Sequence, residues 1–131
     1  MKILFLCVAN SARSIMAEGI AKKHWGDQYE FYSAGSSPST PNPMALKTLA
    51  KLGINNDGFT SNNLSEFHLP DMDYVITLCK EEYCPVVPGS KLHWPFPDPF
   101  GKDQATTERL FMETAENIQI KLKTFMENLP T

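Results

Sequence analysis

Cys7 and Arg13 are separated by five residues, Val8-Ala9-Asn10-Ser11-Ala12, and Ser14 follows the arginine directly. The apolar run Ile3-Leu4-Phe5-Leu6 precedes them, and a helix-like pattern begins at Ser14. This order predicts a thiol at the end of a strand, then a loop, then a helix N-terminus. In such a loop the backbone N–H groups of Val8, Ala9, Asn10, Ser11, Ala12 and Arg13 converge on one concavity, and the helix end adds its dipole, which makes an oxyanion site. The Arg13 guanidinium contributes a planar fork suited to a tetrahedral oxyanion. The same positive surroundings lower the pKa of Cys7 and leave it a thiolate near neutral pH. One loop then holds both the anion and the nucleophile that attacks it.

Two more thiols and one carboxylate bear on that chemistry. Cys79 closes a run of β-formers, Tyr74-Val75-Ile76-Thr77-Leu78, and Cys84 lies five positions later. In a parallel sheet ligands sit at the carboxyl ends of the strands. Cys7 and Cys79 then share one sheet edge, which predicts redox chemistry beyond a single nucleophile. Asp98 stands between Pro97 and Pro99, a candidate general acid or a turn former. Plainer readings stand beside these. A strand-end cysteine is often a small core hydrophobe, and Asn10 and Ser33 can brace the loop by hydrogen bonds alone. Cys79, Cys84 and His93 are zinc-ligand types without a well-spaced fourth ligand, so no metal site is expected. Trp25 and Trp94 read as core, and His24 and His68 as surface or cap residues.

The elements that must position these groups follow from periodicity and punctuation. Residues 2–6 read as a buried strand and Ser14 to Trp25 as a helix, with Met16 and Ile20 inward and Gly26 as its C′ residue. Tyr29 to Ala34 read as a strand and Gly35 to Pro41 as a loop. Asn42, Pro43 and Gly53 are the N-cap, N1 and C′ signals of a second helix. Residues 54–70 form a polar connection with one helical turn near Leu64–Phe67. Lys80 to Gly89 read as a loop, Leu92-His93-Trp94 as a short strand, and Pro95 to Pro99 as irregular. Phe111, Ala115, Ile118, Leu122, Phe125 and Leu129 mark a long C-terminal helix. The fold class expected is α/β: one domain over residues 1–131, with a small, about four-stranded parallel sheet, helices on both faces, and a phosphate-binding loop between the first strand and first helix.

The chain has 131 residues, 42% of them hydrophobic, and a formal net charge of −3. These values suit a packed globule and argue against nucleic acid, which requires a basic footprint. No apolar run reaches the roughly 18 residues of a membrane span. The N-terminus lacks the basic region of a signal peptide. A cytoplasmic, monomeric protein is expected, and an odd number of cysteines, three, argues against a structural disulfide framework.

Cys7 to Ser14 resembles the C-x5-R-S signature of the low-molecular-weight protein tyrosine phosphatases and of the arsenate reductases built on the same fold. Ser14-Ile15-Met16-Ala17-Glu18-Gly19, Tyr32-Ser33-Ala34-Gly35, Thr77-Leu78-Cys79, Cys84-Pro85 and His93-Trp94 through Asp98-Pro99 are similar to those reductases in the same order. The resemblance implies a thioredoxin-coupled arsenate reductase acting in arsenic detoxification. In that reading Cys7 attacks arsenate, while Arg13, Ser14 and the loop N–H groups hold the oxyanion. Asp98 protonates the leaving oxygen, and Cys79 and then Cys84 carry the oxidised pair to an external reductant, thioredoxin or a glutaredoxin–glutathione couple. Glu18, Ser33 and Asn10 support the loop, and no tightly bound cofactor is implied. Some relatives hold potassium through positions resembling Asn10, Glu18, Ser33 and an aspartate, which is Asn62 here, so potassium is not expected to bind tightly. Ala12 stands where many reductases have a fourth cysteine. Four residues separate Cys79 from Cys84, fewer than in those relatives. Phe100-Gly101 replaces the tyrosine pair usual in eukaryotic-type phosphatases.

Two enzyme classes stay open on this reading: an oxidoreductase acting on arsenate and a hydrolase acting on phosphotyrosine or small phosphate monoesters. An oxyanion loop alone does not separate arsenate from phosphate, but hydrolysis has no use for Cys79 and Cys84. A binding protein without turnover is disfavoured, because nucleophile, arginine and candidate acid are all present.

Overall fold

The computed structural model describes residues 1–55, 57–79 and 91–129. The expected loop from Lys80 to Gly89, with Cys84, lies outside the described residues. The elements in order are β1 (Lys2–Cys7), α1 (Arg13–Trp25), β2 (Glu30–Gly35), α2 (Pro43–Lys51), β3 (Tyr74–Cys79), β4 (Lys91–Phe96) and α3 (Gln104–Glu127). The strands form one parallel sheet in the order β2-β1-β3-β4. β1 is central and the strand order reverses beside it, which is where α/β sheets place their ligands.

Strand alternation builds two cores. Ile3 and Phe5 of β1 and Ile76 and Leu78 of β3 point into the larger one, where they meet Ile15, Met16 and Ile20 of α1, Leu49 of α2 and Phe111, Ile118 and Leu122 of α3. Leu4 and Leu6 of β1 with Val75 point the other way. Both faces carry helices, but unequally. The three α-helices cover the first face. The second is closed by Leu64, Phe67, Leu69 and Met72, around two single-turn 3-10 helices at Leu64–Glu66 and Leu69–Asp71.

The helix signals resolve physically. α2 starts as expected: the Asn42 side chain accepts the Met44 N–H at 2.8 Å, Pro43 fits N1, and Gly53 follows the C-cap with φ of 77°. Gly26 differs from expectation. It is the C-cap of α1 in ordinary right-handed geometry, so steric room rather than a left-handed turn calls for glycine: a Cβ there would stand 2.3 Å from the Lys22 carbonyl oxygen. α1 is buried on all sides from Arg13 to Ala21, which is why its apolar stripe is faint in the sequence.

β4 continues through Pro95 to Phe96, where the sequence reads as irregular from Pro95 onward. Between Thr77↔His93 and Cys79↔Phe96 the register advances two residues on β3 and three on β4. The extra residue is a bulge on an edge strand, a place where proline's missing N–H costs no ladder bond.

Candidate active site

β1 ends at Cys7 and α1 begins at Arg13, so the residues between them form the loop at the carboxyl edge of the central strand. Four consecutive loop carbonyls are taken from outside. Val8 O accepts the Ser37 N–H at 2.9 Å, Ala9 O the Ser39 N–H at 3.0 Å and Ser11 O the Asn42 N–H at 2.8 Å. Asn10 O accepts the Ser61 hydroxyl at 2.6 Å. In a trans peptide plane the next N–H points opposite to the carbonyl. The N–H groups of Ala9, Asn10, Ser11 and Ala12 therefore face away from these partners, toward the concave side.

On that side lies a cavity of about 220 Å³ lined by Cys7, Val8, Ala9, Ser11, Ala12, Arg13, Asp98 and Phe100. Cys7 is buried and keeps its thiol. Arg13 is buried as well, and its Nη1 donates to Phe96 O at 2.8 Å. That bond ties the arginine to the end of β4, from which the chain runs on to Asp98. Asp98 is exposed and lines the same cavity as the loop. Phe100, which sequence reasoning weighed only as a family difference, stands at the mouth and packs edge-on against Phe111, with ring centroids 5.3 Å apart.

Asn10 organises the loop from within. It is fully buried, with φ of 48°, a left-handed geometry that asparagine tolerates better than most residues. Its Oδ1 accepts the Asn62 N–H at 2.7 Å and its Nδ2 donates to Ser14 Oγ at 2.8 Å. Since the Ser14 oxygen accepts that bond, its hydroxyl hydrogen is left to donate elsewhere. Gly35 at the end of β2 is required by close approach: a Cβ there would lie 2.3 Å from Val8 O and 2.9 Å from Asn10 N.

Behind the loop sits Glu18, buried on α1. Ser33 Oγ donates to its Oε1, and Lys22 Nζ donates to its Oε2 at 2.5 Å. Asn62 Nδ2 reaches the Ser33 carbonyl at 3.1 Å. Glu18 and Ser33 thus sit behind the loop, and Asn10 within it. The parts of Ser61, Asn62 and Lys22 were not visible as loop support in the sequence. The first two lie some fifty residues from Asn10, and Lys22 reads as a helix-end cation.

Potassium does not fit this arrangement. Asn10 Oδ1 accepts from the Asn62 backbone, Asn62 Oδ1 accepts the Thr60 hydroxyl at 3.0 Å, and the Ser33 hydroxyl faces the carboxylate as a donor. The remaining Glu18 oxygen faces the Lys22 ammonium. All four side chains at the relevant positions are committed to hydrogen-bond partners. Among the described residues no group of three or more His, Cys, Asp or Glu side chains is placed to hold a metal ion, and His93 Nδ1 lies 2.7 Å from Thr77 Oγ1.

Cys79 ends β3 at the same sheet edge as Cys7. Leu6 pairs with Thr77, so continuing the register sets Cys7 beside Leu78, one residue short of Cys79. Alternation then gives Cys7 the face of Ile3 and Phe5, and Cys79 that of Val75 and Thr77. Cys79 is buried and disulfide-bonded.

A buried thiol beneath an arginine-bearing oxyanion loop, between the central strand and first helix of a parallel sheet, defines a thiol enzyme of the phosphatase-loop class. The chain belongs to the low molecular weight phosphotyrosine protein phosphatase family, which it matches over residues 2–131. It is 39% identical to an arsenate reductase of Halalkalibacterium halodurans, over 95% of this chain and 94% of that one. The fold superposes on a thioredoxin-dependent arsenate reductase of Corynebacterium glutamicum with a TM-score of 0.74 and 28% identity, covering 98% of this chain and 63% of that one. A low molecular weight protein tyrosine phosphatase from T. tengcongensis gives a TM-score of 0.80 at 25% identity, covering 98% of this chain and 99% of that one.

Proposed function

We propose that this protein reduces arsenate to arsenite by a cysteine relay and passes the resulting disulfide to thioredoxin. The observation that carries the reading is the pairing of two cysteines at one sheet edge: Cys7, which keeps its thiol under the oxyanion loop, and Cys79, which is disulfide-bonded. A hydrolase needs only the first.

Arsenate enters the cavity, held by the Arg13 guanidinium and the loop N–H groups. The Cys7 thiolate, steadied by the Ser14 hydroxyl hydrogen, attacks arsenic. Asp98 gives its proton to the departing oxygen, and water leaves. Cys79, as a thiolate, attacks the Cys7 sulfur. The S–As electron pair goes to arsenic, which falls from the +5 to the +3 state, and arsenite departs. Because alternation sets the two cysteines on different faces, this attack requires Cys79 to come round the end of β3. Cys84 then attacks the Cys79 sulfur, and Cys7 leaves as a thiolate ready for another turnover. Thioredoxin returns two electrons by thiol–disulfide exchange.

The same cavity accepts phosphate by geometry, so hydrolysis of aryl phosphates is expected as a side activity, and a phosphotyrosine or phosphate-monoester phosphatase is the second reading. The working form is a monomeric cytoplasmic enzyme, folded as one domain over 1–131, without a tightly bound cofactor and without nucleic-acid or membrane partners. Among the described residues no helix is long and apolar enough to cross a membrane. The test is arsenite production with thioredoxin, thioredoxin reductase and NADPH, run against a glutathione–glutaredoxin control. Steady aryl phosphate hydrolysis with no arsenite in either system would transfer the assignment to the phosphatase.

A further inference from the structure

Glu18 is a carboxylate with only 8% of its surface exposed, on the helix that opens the oxyanion loop. At about 1.5 Å of rise per residue it stands roughly 7.5 Å along α1 from Arg13. An uncompensated negative charge there would oppose the binding of an oxyanion in front of the loop and carry the penalty of a buried unpaired ion. Lys22 supplies the compensation. Its ammonium meets Glu18 Oε2 at 2.5 Å and lies 5.9 Å from the centre of the Phe59 ring, a position an aromatic face favours. Lys23, the adjacent cation, is engaged elsewhere, donating to Leu52 O at 2.9 Å and Gly53 O at 3.4 Å. The Glu18 oxygen that does not meet Lys22 accepts from Ser33, whose carbonyl is held by Asn62. Asn62 in turn holds Asn10, and Asn10 holds Ser14.

We infer that Lys22 is a positioning residue: its ammonium is the built-in counter-charge of Glu18, fixes the Ser33–Asn62–Asn10–Ser14 chain behind the loop, and makes oxyanion binding independent of any monovalent cation. The inference deepens the reductase reading, on which its turnover arm rests. Its binding arm does not need that reading. A cavity of about 350 Å³, lined by Glu18, Lys22 and Phe59 among others, opens beside the pair. If the ammonium is removed, a small cation can enter from solvent and take its place, whereas choline is too bulky to sit against a buried carboxylate.

The experiment measures the affinity for inorganic phosphate by calorimetry, and kcat and KM for arsenate with thioredoxin, in potassium, sodium or choline chloride at one ionic strength. For the wild-type protein phosphate affinity is the same in all three salts, within about twofold. In choline, Lys22→Met loses affinity and raises KM by about tenfold, and potassium or sodium restores most of the loss; Lys22→Arg stays near wild type. Wild-type affinity several-fold higher in potassium than in choline would overturn the inference. So would Lys22→Met equal to wild type in choline, or a loss that no salt restores. If Lys22→Met does not fold, Lys22→Gln takes its place, and the wild-type salt series decides by itself. Absent arsenite in every salt, with the phosphate results as stated, would fail the reductase reading and leave this one intact.

Discussion

Cys7, Asp98 and the Cys79/Cys84 pair have separable signatures. Cys7→Ser is expected to lower arsenate reduction and aryl phosphate hydrolysis by about a thousandfold or more while the circular dichroism spectrum stays native. Iodoacetamide titration of the wild-type thiol should give a pKa below the ordinary thiol value of about 8.5. Asp98→Asn should slow turnover by about a hundredfold for an aryl phosphate with a poor leaving group and much less for one with a good leaving group; equal losses would assign Asp98 to structure instead. The relay residues behave asymmetrically. Cys79→Ser should abolish arsenate turnover and leave aryl phosphate hydrolysis nearly intact. Cys84→Ser should complete one turnover and stall with a Cys7–Cys79 disulfide that mass spectrometry detects. Many turnovers with thioredoxin by both variants would remove the relay.

At the scale of elements, the cap of α3 gives a pH dependence. Asp103 accepts the Thr106 N–H at 2.7 Å, and this backbone bond holds its carboxyl below the ordinary aspartate range. A carboxylate whose pKa is depressed on folding stabilises above its unfolded pKa and loses that contribution as pH falls through the folded value. Asp103→Ala should therefore lower the melting temperature at pH 7, and the gap from wild type should shrink as the pH drops below about 4. Thermal melts of both proteins from pH 7 to pH 3 check this; a gap constant with pH would show that the carboxylate charge is irrelevant. The cap also bears on the site. Gly101 N donates to Thr107 Oγ1 at 3.0 Å, which ties the segment 98–101 to the start of α3.

Over the whole molecule, the larger core joins the sheet to all three α-helices, and Phe111 of α3 lies fully buried in it while also supporting Phe100 at the cavity mouth. Phe111→Ala should cost about 3–5 kcal/mol of folding stability. Denaturant melts should show it as a lower midpoint, and the released Phe100 should weaken oxyanion binding at temperatures where the variant is still folded. A loss below about 1 kcal/mol would mean the site collapses around the gap.

What the sequence by itself determined is local. The punctuation of α2 by Asn42, Pro43 and Gly53, the strand-to-Cys7 junction, the stripe of α3 and the parallel order of elements are all written in neighbouring residues, because caps, φ preferences and side-chain periodicity act over a few positions. The spacing of Cys7, Arg13 and Ser14 is equally local, since the loop is one short segment. Tertiary structure decided the rest. That Ser61 and Asn62 close onto Asn10 and that Phe96 O anchors Arg13 depend on partners brought together by crossovers, and no short-range signal records them, whereas the Glu18–Lys22 pair is an i,i+4 neighbour on one helix. Pro95 could enter β4 only because the strand lies at an edge and carries a bulge, a fact of pairing. The faces of Cys7 and Cys79 likewise follow from register, which the burial of two opposed cores fixes and which the composition of either strand alone leaves open.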